Sequence, residues 1–443
     1  MRGSSRIVKG YGLPALVVMF GLTGCGSNAG PPIEPAMHWA VPASSSKVKD
    51  VVADLQPESA VPYGGLLLGS DGQMFGTTSQ GGTSASGFGS VIAYDGSGVH
   101  TVYAFRGMPD GAAPEAGLVQ DSSGVLYGTT TYGGAVCPAG CGTVFDLIPN
   151  GSTYTEKVLY AFQGGQDGAY PIGGLLIDKS GALYGTTFQG GGAAACSGGC
   201  GIVFKLVRSG KTYKETVAHR FKGGQDGANP VGTLIADSAG TVYGTAKSGG
   251  NSSACSGGCG VVYKLKRSGA TYVESVVHSF AGGYSDGATP RSALLAGKHG
   301  TLYGTTLYAG SGANAGVVFE LTPSGKEYSE KVIFKFSGGK TGAQPHDENG
   351  LIADTKGNIY GTASAGGTAK SFGVVFKLTP SGSQYSETVL HEFQGPAKDG
   401  ESPWAGVIIG SDKNLWGVTP YGGSGTCDTS GVAGCGVLFR LTP

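Results

Sequence analysis

The sequence is poor in charge, because only 14% of its 443 residues are Asp, Glu, Lys or Arg. That scarcity argues against coiled coils and long surface helices, which need many charged positions. Acidic and basic residues number 30 each, and setting aside the basic first 24 residues leaves a slightly acidic chain. This balance argues against binding to a phosphate backbone, which needs a concentrated basic face. Helical periodicity is almost absent. A mainly helical protein and a nucleic-acid partner are both excluded.

Glycine, by contrast, is abundant, at 85 residues, or about 19% against about 7% in an average protein. It shows no three-residue period, which excludes collagen. Hydrophobic residues at 40% and aromatic residues at 9% are enough for a core, so wholesale disorder is excluded as well. Many turns joining short strands would use this much glycine, and the composition predicts an all-β protein.

Residues 1–24 predict a bacterial export signal, because a basic stretch precedes a short apolar segment at 13–22. That segment is too short for a bilayer, which takes about 20 apolar residues. Cys25 follows Leu-Thr-Gly, similar to the site where signal peptidase II cleaves before a lipid-bearing cysteine. We therefore predict a lipidated Cys25, and a flexible tether over 25–46 that is rich in Gly, Pro, Ala and Ser. The alternative is an ordinary signal peptide with an incidental cysteine.

A motif of the type Leu-Tyr-Gly-Thr-Thr recurs seven times between Met74 and Leu415, at a mean period of about 57 residues. Each unit contains four candidate strands. In the third unit they are 174–177, 182–187, 202–206 and 215–221. Four short strands per unit are typical of the blades of a β-propeller. The alternative is an open β-solenoid, whose coils are usually shorter.

The two ends of the repeat array complement each other. The seventh unit stops after its third strand, 437–441, and a segment that matches a fourth strand, 47–55, precedes the first unit. One blade completed from both ends makes sense in a closed ring, because closure removes exposed strand edges. The sequence predicts one all-β domain over 47–443: a seven-bladed β-propeller of four-stranded antiparallel blades, the last blade closed by an N-terminal strand.

These repeats resemble the GloVer-type tandem repeats of "choice-of-anchor" bacterial surface proteins. The resemblance rests on Tyr-Gly-Thr-Thr strands followed by Gly-Gly, on Val-Phe-x-Leu strands followed by Pro-Ser-Gly, and on loops such as 164–168. It covers nearly the whole chain beyond the predicted export signal. It implies a cell-surface repeat protein with interchangeable anchors, here the predicted N-terminal lipid. It implies no defined activity and carries over no catalytic residue.

Eight further cysteines form four close pairs, each between the second and third strands of a unit. The pairs are Cys137/Cys141, Cys196/Cys200, Cys255/Cys259 and Cys427/Cys435. They occur in the longer of these loops, where ordering the chain costs more entropy. Since an exported compartment permits disulfides, we predict four local disulfides. The alternative is a four-thiolate zinc site made by two neighbouring loops, against which the isolated fourth pair argues.

The blade-to-blade loops are expected on the same face as the cysteine loops, because alternate connections of an antiparallel blade lie on one side. Their recurring aspartates are Asp110, Asp167, Asp226, Asp286 and Asp399. Each loop offers one carboxylate and not a calcium-binding set, so we interpret them as turns held by side-chain-to-backbone bonds. The sixth unit has Thr341 instead and inserts polar residues at 346–349, interpreted as a solvated loop and not a metal site. No metal and no cofactor is predicted.

The residue after the loop proline differs in every unit, where the chain enters the innermost strand near the channel mouth. The seven are Tyr63, Glu115, Ile172, Val231, Arg291, His346 and Trp404. Tyr63 and Trp404 could stack on a sugar or other flat ligand. Glu115, Arg291 and His346 could fix its orientation. The alternative is ordinary variation at a tolerant loop position.

Catalytic motifs are weak. The G-x-S-x-G match at 283–287 lies in a strand-to-strand loop, whereas a nucleophile elbow needs a strand and a helix. Neither a phosphate loop nor a dinucleotide fingerprint occurs. We favour a non-enzymatic lipoprotein of the bacterial envelope, held in the outer membrane or at the cell surface, whose propeller presents one face to an extracellular or periplasmic protein or glycan. The alternative is an envelope hydrolase or lyase acting on a carbohydrate or lactone at the channel mouth.

Overall fold

The computed structural model describes residues 50–82, 87–134, 136–151, 153–283, 285–309, 315–346, 349–367, 371–382, 384–396, 399–429 and 432–443. The predicted export signal, Cys25 and the tether lie outside the described residues, as do the first three residues of the predicted strand 47–55. No helix in the described part of the chain is long and apolar enough to cross a membrane.

Seven antiparallel four-stranded sheets are arranged as a seven-bladed β-propeller, and their strands are numbered here from the channel outwards. Blade 1 comprises Leu67–Leu68, Met74–Thr78, Ser90–Tyr94 and Val99–Ala104. Blade 2 comprises Val119–Gln120, Leu126–Thr130, Thr143–Asn150 and Thr153–Ala161. Blade 3 comprises Leu176–Ile177, Leu183–Thr187, Ile202–Ser209 and Thr212–Arg220. Blade 4 comprises Ile235–Ala236, Val242–Ser248, Val261–Ser268 and Thr271–Ser279.

The remaining blades follow the same order. Blade 5 comprises Leu295–Ala296, Leu302–Tyr308, Val317–Ser324 and Glu327–Lys335. Blade 6 comprises Ile352–Ala353, Ile359–Ala363, Val374–Ser381 and Gln384–Glu392. Blade 7 comprises Ile408–Ile409, Leu415–Thr419, Val437–Leu441 and, as its fourth strand, Asp50–Asp54. Short strands in the connections are Gly111–Ala112, Tyr132–Gly133, Ala228–Pro230, Ala288–Pro290, Gly400–Glu401, Tyr421–Gly422, Asp428–Thr429 and Val432–Ala433. Single 3-10 turns occur at Pro57–Ser59, Gly224–Asp226, Lys298–Gly300 and Gly339–Thr341.

The predicted ring closure is confirmed. The N-terminal strand pairs antiparallel with Val437–Leu441, with Asp50 opposite Arg440 and Asp54 opposite Val437, across one bulge. Leu55 follows this strand, is 1% exposed, and donates its N–H to the carbonyl of Gly436 at 3.0 Å. The N-terminal strand therefore contributes both a sheet edge and a core side chain to blade 7.

The same position after the fourth strand is a buried phenylalanine in the other six blades. These residues are Phe105, Phe162, Phe221, Phe280, Phe336 and Phe393. Each meets an aromatic ring of the next blade's third strand edge-on, with centroids 5.0 to 5.2 Å apart. Such pairs contribute about 0.5–1.5 kcal/mol beyond the area they bury. The core is thus a series of clusters between neighbouring blades.

The strand lengths differ from the sequence prediction in a regular way. In blade 3 the third and fourth strands extend to Ile202–Ser209 and Thr212–Arg220, joined by a two-residue turn. The innermost strand shrinks to Leu176–Ile177, because Gly174 donates its N–H to Thr233 of the next blade at 3.1 Å. A Cβ on Gly174 would stand 2.6 Å from that hydroxyl. Inner strands of adjacent blades therefore approach too closely for side chains.

The four predicted disulfides are confirmed. The pairs are Cys137–Cys141, Cys196–Cys200, Cys255–Cys259 and Cys427–Cys435, with Cα atoms 5.0 to 5.4 Å apart. The second cysteine of each pair also accepts, through its carbonyl, an N–H from the next blade. In the order of the pairs, the donors are the backbone N–H groups of Tyr170, Asn229, Thr289 and Val61. Each disulfide loop therefore fastens one blade to its successor.

Candidate functional site

The residue before each loop proline has a left-handed backbone in all seven units. These residues are Val61, Ala113, Tyr170, Asn229, Thr289, Gln344 and Ser402, with φ between 52° and 61°. A non-glycine residue rarely adopts this conformation, and β-branched residues such as Val61 do so least of all. Here two backbone bonds hold it: Val61 donates to Cys435 of blade 7 and accepts from Ser79 of blade 1, both at 3.0 Å. These two hydrogen bonds fix the direction in which the chain enters the following proline and the residue after it.

The residues after these prolines are called rim residues here, and the rings of three of them stack side by side. The Trp404 ring lies 4.7 Å from that of Tyr63 and 5.0 Å from that of His346, with interplanar angles of 22° and 24°. Tyr421 meets Trp404 edge-on at 6.4 Å, and its hydroxyl lies 3.1 Å from that of Tyr63. Because blades 6 and 1 flank blade 7, the Trp404 indole stands between the other two rings. Tyr63 and Trp404 therefore stack on each other, forming a rigid aromatic wall.

The expectation of a solvated loop at 346–349 is wrong for His346. Its side chain is buried, with 7% of the residue exposed, because it packs against the Trp404 ring. Burial, and then the positive charge of Arg291, lower the pKa of His346 well below 6.5. His346 is therefore neutral at pH 7. Asp347 and Glu348 lie outside the described residues.

Asn349 reaches into the channel. Its amide lies against Gly65 and Gly117, the inner glycines of blades 1 and 2, where any Cβ would overlap it. A Cβ on Gly117 would stand 2.5 Å from the Asn349 amide nitrogen. The insertion in the sixth unit thus supplies one rim side chain and one polar group inside the channel.

The charged rim residues form an electrostatically coupled set. Glu115 accepts a hydrogen bond from the Thr131 hydroxyl at 2.9 Å. Burial raises the pKa of Glu115, opposed by that bond and by the positive charge of Arg291. Burial, and then Arg291, lower the pKa of Lys247 to about 8. Two cations and one carboxylate therefore face the same mouth, between the aromatic wall and the apolar rim residues Ile172 and Val231.

Sequence reasoning missed the second layer of this mouth. Thr131, Phe188 and Lys247 are each the first residue after the repeated Thr-Thr or Thr-Ala of a second strand, and Lys247 Nζ lies 4.5 Å from the centre of the Phe188 ring. Tyr132 follows Thr131 and meets Tyr170 edge-on at 5.6 Å. The sequence did offer a signal for this layer, because the residue at this position varies between the units, with only Ser79 and Ser364 alike.

The recurring aspartates behave as the turn interpretation predicts, and each also contacts a fourth-strand side chain. The pairs are Tyr103–Asp110, Tyr160–Asp167, His219–Asp226, His278–Asp286 and His391–Asp399, at 2.6 to 3.2 Å. Where the fourth-strand residue is Phe334, which cannot pair in this way, the aspartate is replaced by Thr341, which accepts the Ser337 N–H at 3.0 Å. His219, His278 and His391 therefore hold the loop aspartates as well as lying on the faces of their strands.

Solved structures with a similar fold include two proteins provisionally named 6-phosphogluconolactonases. The one from Bacteroides uniformis is 13% identical, with a TM-score of 0.51 over 78% of this chain and 88% of its own. The one from Bacteroides fragilis is 13% identical, with a TM-score of 0.51 over 79% and 88%. The PQQ-bound aldose sugar dehydrogenase of Streptomyces coelicolor is 13% identical, with a TM-score of 0.43 over 89% and 97%. Likeness at this identity reflects the fold alone.

The sequence comparisons are more specific. No curated protein matches the chain significantly. The model of the Gloeobacter/Verrucomicrobia repeat matches residues 44–254, 137–352 and 313–443, which together cover the whole propeller. The resemblance found in the Tyr-Gly-Thr-Thr and Val-Phe-x-Leu strands is thereby confirmed. The chain belongs to the Gloeobacter/Verrucomicrobia repeat family.

Proposed function

We propose that this protein is a lipid-anchored binding module of the bacterial envelope whose channel mouth binds a glycan. One observation carries the proposal: all seven rim residues differ, while the strands and turns around them repeat. Residues that build the blade, such as the glycine of each second strand, recur from unit to unit, so full variation at the rim is consistent with selection for a ligand.

The mouth supports a ligand with both hydroxyl and acidic groups. Glu115 is an acceptor for sugar hydroxyls, while Arg291 and Lys247 complement a carboxylate or sulfate. The stacked rings of Tyr63, Trp404 and His346 hold one side of the mouth rigid, which lowers the entropy lost on binding. Because Trp404 is already stacked, its exposed edge and not its face would contact the sugar. An acidic glycan fits this arrangement best.

A glycan array probed with residues 46–443 tests the proposal. We expect binding to acidic glycans, weakened about tenfold or more in Arg291→Ala, because a hydrogen bond to a charged group contributes about 1.5–3 kcal/mol. Trp404→Ala should also weaken binding, since it loosens the wall. Lys326→Ala, exposed on an outer hairpin, is the control. Binding that survives both rim variants unchanged would contradict the site, and a protein ligand captured at the rim would replace the glycan.

The lipid anchor rests on the sequence around Cys25. Mass spectrometry of the N-terminal peptide should find an acylated cysteine, and Cys25→Ala should move the protein out of the membrane fraction. A protein that stays in the membrane fraction after this substitution, or an unmodified Cys25, would contradict this part of the proposal.

A catalytic role at the same mouth is the second candidate. The observation that favours it is that burial raises the pKa of Glu115, because a buried carboxyl group that stays protonated can serve as a general acid. Carbohydrate or lactone turnover that is abolished in Glu115→Gln, with glycan binding retained, would establish it. An absence of turnover with ligands found on the array would leave binding as the function.

A further inference from the structure

Outside the channel mouth, three potential metal ligands converge between the outer strands of blades 3 and 4. His219 lies near the end of the blade 3 fourth strand, Asp226 lies in the following loop, and Glu274 lies in the fourth strand of blade 4. One donor atom from each lies within 4.8 Å of the other two. This gap is on the periphery of the ring and shares no residue with the rim.

The donor atoms of this group are not paired as in the equivalent gaps. His278 and His391 bond their aspartates at 2.8 and 2.6 Å. His219 Nε2, in contrast, lies 3.2 Å from Asp226 and is buried without an aligned hydrogen-bond partner. Glu274 Oε1 is buried without an aligned hydrogen-bond partner, as are the equivalent oxygens of Glu156, Glu215, Glu330 and Glu387. His219 and Glu274 both belong to the same group of three.

The surroundings hold these side chains in place. The Lys222 backbone N–H donates to the second oxygen of Asp226 at 2.7 Å, and the Phe221 ring packs edge-on against His219 at 4.8 Å. Two carboxylates in one partly buried gap repel each other, and a divalent cation would offset that repulsion.

We propose that His219, Asp226 and Glu274 form a binding site for a divalent transition metal such as Zn²⁺. One imidazole nitrogen and two carboxylate oxygens are a recognised zinc donor set, with a fourth position left for water. Metal–ligand distances of about 2.0–2.2 Å require the donors to close by roughly 1 Å, which side-chain rotation supplies. Because the ligands come from two blades, the metal joins blade 3 to blade 4.

The neighbouring gap offers a matched control. Between blades 2 and 3, Tyr160 stands where His219 stands, beside Asp167 and Glu215. His219→Tyr therefore gives this gap a residue that the fold already accepts. Between blades 4 and 5, His278, Asp286 and Glu330 are the same three residue types, but there the imidazole bonds its aspartate directly at 2.8 Å.

The experiment is a calorimetric titration of the full chain, purified without a polyhistidine tag and treated with EDTA, with ZnCl2 at pH 7.5. We expect one more Zn²⁺ bound by the wild type than by His219→Tyr, with Glu274→Gln binding about tenfold or more weakly. His278→Tyr should keep the His219 site. Equal binding by the wild type and both single tyrosine variants, or no binding by the wild type at micromolar Zn²⁺, would overturn the proposal. Circular dichroism checks that each variant is folded, and glycan binding should persist in His219→Tyr.

Discussion

Glu387 in the blade 6 fourth strand carries the most perturbed of the outer-strand carboxyls. Burial raises its pKa to about 8 from an ordinary 4.5. Equivalent glutamates lie near a histidine or other charges of the preceding blade, but at the corresponding place blade 5 has the uncharged Phe334 and Thr341. A Glu387 carboxylate is therefore desolvated without a cation to compensate it.

The sign of the pH effect follows from linkage. Between pH 4.5 and about 8 the folded state binds more protons at Glu387 than the unfolded state does. The stability that the protonated Glu387 side chain contributes to the folded state is therefore fully present below about pH 4.5. It is lost as the pH rises from 4.5 to about 8. The pKa difference between 4.5 and about 8 corresponds to about 1.4 kcal/mol for each pH unit, and the loss reaches about 4 kcal/mol at pH 8, where the folded carboxyl group is still half protonated.

Glu387→Gln removes the charge and keeps the shape of the side chain. Urea unfolding at pH 5, 6.5 and 8 should show the variant close to wild type at pH 5 and more stable by a few kcal/mol at pH 8. Glu327→Gln, exposed at the base of a hairpin, should follow wild type throughout. If wild type and Glu387→Gln lose stability in parallel from pH 5 to pH 8, the assignment of this pH dependence to Glu387 is refuted.

Two further stability predictions test the ring and its turns. Leu55→Ala should lower the free energy of unfolding by about 2–5 kcal/mol, comparable with Phe162→Ala at the same position of blade 2, as measured by urea unfolding. A near-neutral Leu55→Ala beside a costly Phe162→Ala would contradict closure through the N-terminal strand. Thr341→Asp should destabilise blade 5, because Phe334 offers the new carboxylate no donor. Adding Phe334→His should recover about 1–2 kcal/mol, and strictly additive effects in the double-mutant cycle would contradict the pairing.

The architecture could be predicted from the sequence because the same weak strand pattern occurs in all seven units. A single Leu-Tyr-Gly-Thr-Thr segment predicts little, but seven at regular spacing define blade number and strand order. The four disulfides followed because each pair lies within one short loop. The fourth strand of blade 7 followed because its partner was missing at the other end.

Contacts between units could not be predicted in the same way. The burial of His346 depends on the ring of Trp404, which belongs to the next unit. Sequence spacing does not show that the two faces of the Trp404 ring are covered by His346 and Tyr63. Glu274 and His219 come from different repeats, so their meeting depends on the rotation between blades. The substitution of Thr341 for the recurring aspartate was visible, but its link to Phe334 needed the strand-to-loop geometry.

The backbone hydrogen bonds before the prolines link neighbouring blades, whereas the side chains that differ between the units follow those prolines. A main-chain N–H donates to the preceding blade at each of Val61, Ala113, Tyr170, Asn229, Thr289, Gln344 and Ser402, and no two of these residues are the same type. The adjoining rim positions can therefore mutate without disturbing the assembly of the ring. The side chains at the mouth can thus vary, as the seven units already do, while the hydrogen bonds between the blades stay the same.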